Sequence, residues 1–331
     1  MPTPSSRRVS PLLLVATAGL VALLASSCSW FEGDPPTTTI ARPPEADVAY
    51  GGDQSCVPDV DPCTGAQSVD IYRSEEEGPN PVVVWIHGGG FVSGDKADGL
   101  NEHLAVFLDA GWDIVAMNYR LSTEGGNQFP AALHDAKRVV RWVKASAAEQ
   151  DWDPTSVAAA GHSAGGNLAA MLAVTSQVPD LEPPDLSPEL AAVDSSVIAA
   201  VAIAPVSDLA AFANTSGWER AARWYVGCEG CPDVAARASV IPYVDTNSAP
   251  LLILHGDEDP IAPPQLGEAV VDAFDAAGIG DRVELIVVRD GPEEFRGHNP
   301  DFDRFDDQFV EFLDAARPEE PADESTTTAP A

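Results

Sequence analysis

The sequence predicts an α/β domain: a mostly parallel central sheet, helices on both of its faces, and a small cap or insertion at one edge. Two observations carry that prediction. Between about residues 68 and 315, short apolar strand-like runs alternate with longer segments of helical periodicity, the order in which a parallel sheet and its covering helices are laid down. The chain can also fill such a core, with 331 residues and 45% hydrophobic content, enough for one large domain or two small ones.

In chain order, residues 1–27 read as an export signal. Arg7 and Arg8 precede an uncharged apolar run, Pro11 to Ala25, and then Ser26-Ser27-Cys28. The run is shorter than the roughly 20 residues a membrane-spanning helix needs, so a signal peptide fits better than a permanent anchor. Leu24-Ala25-Ser26-Ser27-Cys28 resembles a bacterial lipobox, with Ala25 where leucine is usual. That resemblance implies lipidation of Cys28 and a mature chain held at the outer face of the cell membrane, with secretion as the other outcome. Ser6-Arg7-Arg8 also resembles a twin-arginine signal, which leaves the export route open. Residues 28–46 are rich in Pro and Thr and read as an extended tether. The folded domain is expected over 47–317, and 318–331 as a disordered acidic, Thr-containing tail.

Within the domain, strands are expected at Ser68–Tyr72, Pro81–His87, Asp113–Tyr119, Ser156–Ala160, Val197–Pro205, Pro250–His255 and Arg282–Val288. Helices are expected at Asn101–Ala110, Ala131–Ala148, Ala164–Thr175, Gly217–Tyr225, Pro264–Ala277 and Phe302–Ala315. Leu133, Ala136, Val139, Val140 and Val143 fall on one face of the longest. Two excursions interrupt the rhythm: the proline-rich Ser176–Asp194, and Leu209–Asn247 with Trp218, Trp224 and Tyr225. Both are expected at the C-terminal edge of the sheet, where substrate pockets are built.

Charge and cysteines narrow the function classes. Eighteen basic against 52 acidic residues give a net charge of −34, which excludes a nucleic-acid-binding surface and electrostatic docking on anionic lipid. Any membrane association is left to the N-terminal lipid. Five cysteines in an exported chain leave one over, and Cys28 is the odd one if it carries lipid. Cys56 is then expected to pair with Cys63, and Cys228 with Cys231, in an oxidising compartment. A redox or zinc half-site is the rival for Cys228-Glu-Gly-Cys231, but no second cysteine pair suits a metal and the thioredoxin-like context is absent.

The chemistry centres on Gly161-His-Ser163-Ala-Gly165, set between a strand-like and a helix-like run. A serine on a sharp strand-to-helix turn needs small neighbours, and the turn places its Oγ at a helix N-terminus, where unpaired amides stabilise negative charge. Upstream, Val82-Val-Val-Trp-Ile-His87 runs into Gly88-Gly89-Gly90-Phe91. Such a run lets successive amides face a carbonyl oxygen, and with the amide of Ala164 it would form an oxyanion hole. A nucleotide-binding glycine loop would need Gly-x-Gly-x-x-Gly or a Gly-Lys-Ser/Thr ending, and neither occurs. Downstream, Asp257, Glu258 and Asp259 follow a strand, and one of them can orient a histidine; Asp259 is preferred. His298 is the only histidine after that loop, so the order Ser, Asp, His leaves it as the single candidate base.

These stretches together resemble the α/β-hydrolases of the carboxylesterase/lipase superfamily, nearest to the hormone-sensitive-lipase-like and related small esterases. The resemblance runs from about Val48 to Phe312 and includes Trp85-Ile-His-Gly-Gly-Gly-Phe91, Asn118-Tyr-Arg-Leu121, Phe129-Pro-Ala-Ala-Leu-His-Asp135, Gly161-His-Ser-Ala-Gly-Gly166 and His255-Gly-x-x-Asp259. It implies that Gly89 and Gly90, rather than Gly88, act with Ala164, and it supports Asp259. The chain departs from the hormone-sensitive-lipase pattern in carrying His162 where Asp is frequent, in lacking clear N-terminal cap helices, and in the charged Glu293, Glu294 and Arg296 near His298.

The expectation is therefore an exported serine carboxylesterase acting on short-chain or small carboxylic esters through Ser163, Asp259 and His298. It would need a small-molecule ester and no metal or organic cofactor. An amidase or peptidase, an acyltransferase, and a non-catalytic binding protein on the same scaffold are the alternatives. Oligomeric state, acyl length and alcohol group are not encoded legibly.

Overall fold

The structure, a computed structural model, describes residues 44–50, 67–98, 102–213, 219–292, 296–300 and 303–318. The expected signal peptide, Cys28, all but the last residues of the tether, the Cys56 and Cys63 pair and nearly all of the tail lie outside the described residues.

Eight strands form one sheet: β1 Glu45–Ala49, β2 Ser68–Tyr72, β3 Asn80–Ile86, β4 Asp113–Met117, β5 Trp152–His162, β6 Ala200–Ile203, β7 Leu251–Gly256 and β8 Val283–Val288. Their spatial order is β1-β2-β4-β3-β5-β6-β7-β8. β1 and β2 are antiparallel to their neighbours, and every pairing from β4 through β8 is parallel. Parallel strands buried on both faces need apolar residues at successive positions, and every residue of β3, β4, β6 and β7 is buried.

The helices are α1 Glu102–Asp109, α2 Ala131–Ala145, α3 Ala147–Gln150, α4 Ala164–Val174, α5 Pro188–Ala191, α6 Leu209–Phe212, α7 Glu219–Val226, α8 Pro232–Arg237, α9 Gln265–Ala276 and α10 Asp306–Ala315. Alternate residues of β3 feed opposite layers. Val82, Val84 and Ile86 belong to the same buried core as Leu133 and Val139 of α2, Leu168 of α4 and Phe274 of α9. Val83 and Trp85 belong to the core on the other face, with Phe107 of α1 and Phe309 and Leu313 of α10. Each fully buried aliphatic or aromatic side chain of this kind stabilises by about 1.5–3 kcal/mol relative to exposure.

Four expectations need correction. The tether does not extend to residue 46: Glu45 and Ala46 already belong to β1, whose residues are mostly exposed and so leave no hydrophobic pattern. That edge strand is held by its ladder to β2 and by Lys96, whose Nζ donates to Asp47 Oδ1 at 2.8 Å. β5 starts at Trp152, four residues earlier than expected, because Asn80 pairs with Trp152 and its amide donates to Asp151 O at 3.0 Å. The long helix breaks at Ser146, between α2 and α3.

The fourth correction concerns the first excursion. α4 starts beside Ser163 at the C-terminal ends of the strands and runs back, so Ser176–Asp194 lies at the opposite, N-terminal edge. There it covers the basic face of α2. Lys137 Nζ, fully buried, donates to Thr175 O and to Glu182 Oε1 at 2.6 Å, and Arg141 pairs with the same carboxylate. The second excursion does lie at the C-terminal edge, between β6 and β7, and contains α6, α7 and α8.

Candidate active site

Ser163 joins β5 to α4 with φ 56° and ψ −116°. A non-glycine residue there carries about 1–3 kcal/mol of strain. Backbone bonds on both sides hold it: Ser163 N donates to Ile203 O at 2.8 Å, and Asn167 N donates to Ser163 O at 3.0 Å. The turn closes only because the neighbouring positions lack a Cβ. One added at Gly161 would sit 2.5 Å from Gly165 O, and one at Gly165 would sit 2.0 Å from Ile86 O. Ala164 begins α4, so its amide belongs to the first turn, whose donors have no intrahelical acceptor.

The glycine loop rests against this turn. A Cβ at Gly88 would lie 3.4 Å from Ser163 Cβ. Gly89, Gly90 and Phe91 follow with φ of 107°, 62° and 65°. The loop's carbonyls are taken up internally. Tyr119 Oη donates to His87 O at 3.1 Å and Gly88 O at 3.2 Å, and Gly89 O accepts from Val92 N and Ser93 N, both at 3.1 Å. The buried His87 ring stacks on Tyr119 with centroids 4.3 Å apart, and burial lowers its pKa. The family motif Asn118-Tyr-Arg-Leu121 is therefore a brace for this loop. Arg120 Nη2 pairs with the fully buried Asp135 at 2.8 Å, which explains the second motif as well.

The three candidate side chains meet beyond the C-terminal ends of β5, β7 and β8, in one half of the sheet. His298 Nε2 is 2.8 Å from Ser163 Oγ, and His298 Nδ1 is 2.8 Å from Asp259 Oδ2. The carboxylate can only accept, so Nδ1 carries the proton and Nε2 is free to accept from the serine hydroxyl. Asp259, its side chain fully buried, also accepts from Ile261 N at 2.8 Å and Ala262 N at 2.9 Å through Oδ1. This is the geometry of a nucleophile, a base within reach, and an acid that orients the base.

Asp257 and Glu258, the two rivals, do something else. Arg296 Nε and Nη2 reach the two oxygens of Asp257 at 2.8 Å each, and Nη2 also reaches Glu258 Oε1 at 2.8 Å. Glu258 N donates to Arg296 O at 2.9 Å. Arg296, one of the charges near His298 that depart from the family pattern, thus ties its segment to the loop bearing Asp259. Sequence reasoning missed Arg296, although a cation two residues before the base and opposite an acidic loop was a readable signal.

The remaining histidines lie outside this relay. His255 is fully buried against α9 and His134 is on α2; burial lowers both to about 4, aided at His134 by Arg120 and Lys137 and opposed at His255 by Asp259. His103 lies in α1, and its side chain is outside the described residues. Cys228 and Cys231 form a disulfide in the turn between α7 and α8. Beside it lies a cavity of about 440 Å³ walled by Ala210, Ala222, Val226 and Ala235. α7 also reaches the glycine loop, where Tyr225 stacks on Phe91. Among the described residues, no group of three or more His, Cys, Asp or Glu is placed to hold a metal ion, and no helix is long and apolar enough to cross a membrane.

A family model described as BD-FAE matches residues 69–274, a span that holds Ser163 and Asp259 but not His298. The chain is 31% identical over 215 residues to the probable carboxylic ester hydrolase LipM of Mycobacterium tuberculosis, covering 62% of this chain and 48% of LipM. To the esterase LipQ of the same organism it is 28% identical over 221 residues, covering 63% and 50%. The chain thus spans about half the length of the curated relatives it matches. Among solved structures, the esterase Est2 of Thermogutta terrifontis with propionate bound superposes with a TM-score of 0.60 at 26% identity, covering 82% of this chain and 96% of that one.

Proposed function

Since the chain belongs to the BD-FAE family, we propose that it is a serine carboxylesterase that hydrolyses small carboxylic esters. The observation that carries the proposal is the relay of two 2.8 Å contacts from Ser163 through His298 to Asp259. His298 Nε2 takes the Ser163 proton as Oγ attacks the ester carbonyl. Asp259 keeps the imidazole in the required tautomer and stabilises the imidazolium. The amides of Gly89, Gly90 and Ala164 donate to the oxyanion of the tetrahedral intermediate. Its collapse expels the alcohol, protonated by His298, and leaves an acyl-Ser163. Water, deprotonated by His298, then attacks the acyl carbon; collapse of the second intermediate returns the proton to Ser163 and releases the acid.

Short acyl groups are part of the proposal. In its support, the ethyl acetate hydrolase of Pseudomonas putida is 36% identical over 110 residues, although these are only 32% of this chain. Export, with a lipid on Cys28, rests on the N-terminal sequence. The test is hydrolysis of nitrophenyl esters of increasing acyl length. The parent should prefer the shortest, and Ser163→Ala should lose at least about 10⁴-fold in kcat. A parent inert towards every ester refutes the proposal, and an active Ser163→Ala refutes the nucleophile.

A further inference from the structure

His162, the last residue of β5, is the one member of the Gly161–Gly165 turn that family comparison leaves unexplained. Its side chain lies between the glycine loop and the His298 segment. A Cβ at Gly88 would be 3.2 Å from His162 Nδ1, and on the other side the His162 and His298 rings are 5.0 Å apart. His162 Nε2 is 2.8 Å from the main-chain oxygen of His298. A carbonyl only accepts, so Nε2 must carry the proton. The ring stays neutral: burial, then the adjacent His298, lower its pKa to about 4. A cation on His298 during turnover would disfavour a second on His162 further, so His162 does not compete as a base.

The His298 segment needs such a holder. Its described residues, 296–300, belong to no helix or strand. Among the described residues the side chain of His298 is fixed by Ser163 and Asp259, its main chain by the His162 bond, and its neighbour Arg296 by the acidic loop. The Ser163 contact must exchange its proton during turnover, so it is a poor anchor, and the lasting ones are Asp259 at the ring and His162 at the main chain. The bond from His162 joins the nucleophile's own strand end to the backbone of the base, and so fixes one relative to the other.

We propose that His162 is a positioning residue: its Nε2–H holds the His298 carbonyl so that the His298 imidazole spans Ser163 and Asp259. This rests on the reading of His298 as the base. The test compares His162→Leu, which fills the space without donating, with His162→Gln, whose amide can place a donor near the Nε2 position. Leu should lower kcat about 10- to 100-fold, the scale of a roughly 1 Å misplacement, with KM within about twofold. Gln should restore most of the loss. Histidine NMR reads the same geometry without turnover. The low-field Nδ1–H signal of His298 bonded to Asp259 should persist in the parent and His162→Gln, and broaden away in His162→Leu. A His162→Leu enzyme with parental kcat, a Gln variant as impaired as Leu, or an unchanged low-field signal in Leu each overturns the inference. Should the parent hydrolyse no ester, the esterase reading fails separately, and the NMR signal still decides the role of His162.

Discussion

At the scale of single residues, the site is held by atoms that are missing as much as by those present. A methyl group at Gly165 would meet Ile86 O at 2.0 Å and His87 O at 2.6 Å. Both are backbone atoms of the strand end that launches the glycine loop, so neither can swing aside as a side chain could. Gly165→Ala should therefore destabilise by more than about 4 kcal/mol, among the largest effects of single substitutions; a variant melting within about 2 °C of the parent would contradict this. These glycines were legible in the sequence because a sharp turn demands them. Ser163, Asp259 and His298 were legible because the chemistry fixes both residue types and chain order. The role of His162 was not, because its partner is a backbone oxygen 136 positions away, and main-chain acceptors carry no residue signature. Asp259 and Asp257 illustrate the same limit, being chemically identical in the sequence. Their environments now separate them: Asp259→Asn, which upsets the tautomer of His298, should lower kcat about 10⁴-fold. Asp257→Asn should lower it less than about tenfold, measured on the same ester.

At the scale of elements, the loops after β7 and β8 act as one unit, joined by Arg296. The pair it forms with Asp257 is bidentate but partly exposed, with side-chain exposures of 25% and 20%. Exposed pairs contribute at most about 1 kcal/mol to global stability. Arg296→Met should therefore leave the melting temperature almost unchanged and lower kcat several-fold by loosening the loop that carries His298. Salt should weaken the parent in the same direction and leave the variant indifferent. Equal salt dependence of kcat in the two enzymes would refute the clamp. Elements also mark where sequence reading failed. The central parallel strands were readable from apolar runs because they are buried on both faces, and the long amphipathic helices from the period of their one buried face. β1 was not, since it lies at the sheet edge with exposed side chains. The excursion at 176–194 was recognised as irregular but placed at the wrong edge. Composition reveals a loop, whereas its edge follows from the direction of the preceding helix, and Lys137, Arg138 and Arg141 of α2 supply its charged floor.

At the scale of the whole molecule, a net charge of −34 and a set of buried neutral histidines act in opposite directions as pH falls. Protonating surface carboxylates relieves self-repulsion and favours the folded state. His255 does the reverse. It is fully buried with a pKa lowered by burial to about 4, while an unfolded histidine titrates near 6.5. Between those values the unfolded chain binds the extra proton, so stability is complete above about pH 6.5 and is lost as pH falls towards about 4. The loss amounts to at most about 3 kcal/mol for this residue. Carboxylates such as Asp194 act in a lower window: burial would raise its pKa, but Lys144 and Ser196 outweigh it and hold it at about 2. The two opposing effects separate in salt. In 1 M salt the Debye length is about 3 Å, which screens the surface charge but not the buried ring. Under those conditions, denaturant midpoints should fall steadily from about pH 6.5 to about pH 4.5. His255→Leu should make that fall shallower by up to the equivalent of one proton, about 1.4 kcal/mol per pH unit. If the parent and His255→Leu curves run parallel, the buried ring is not the origin of the acid sensitivity.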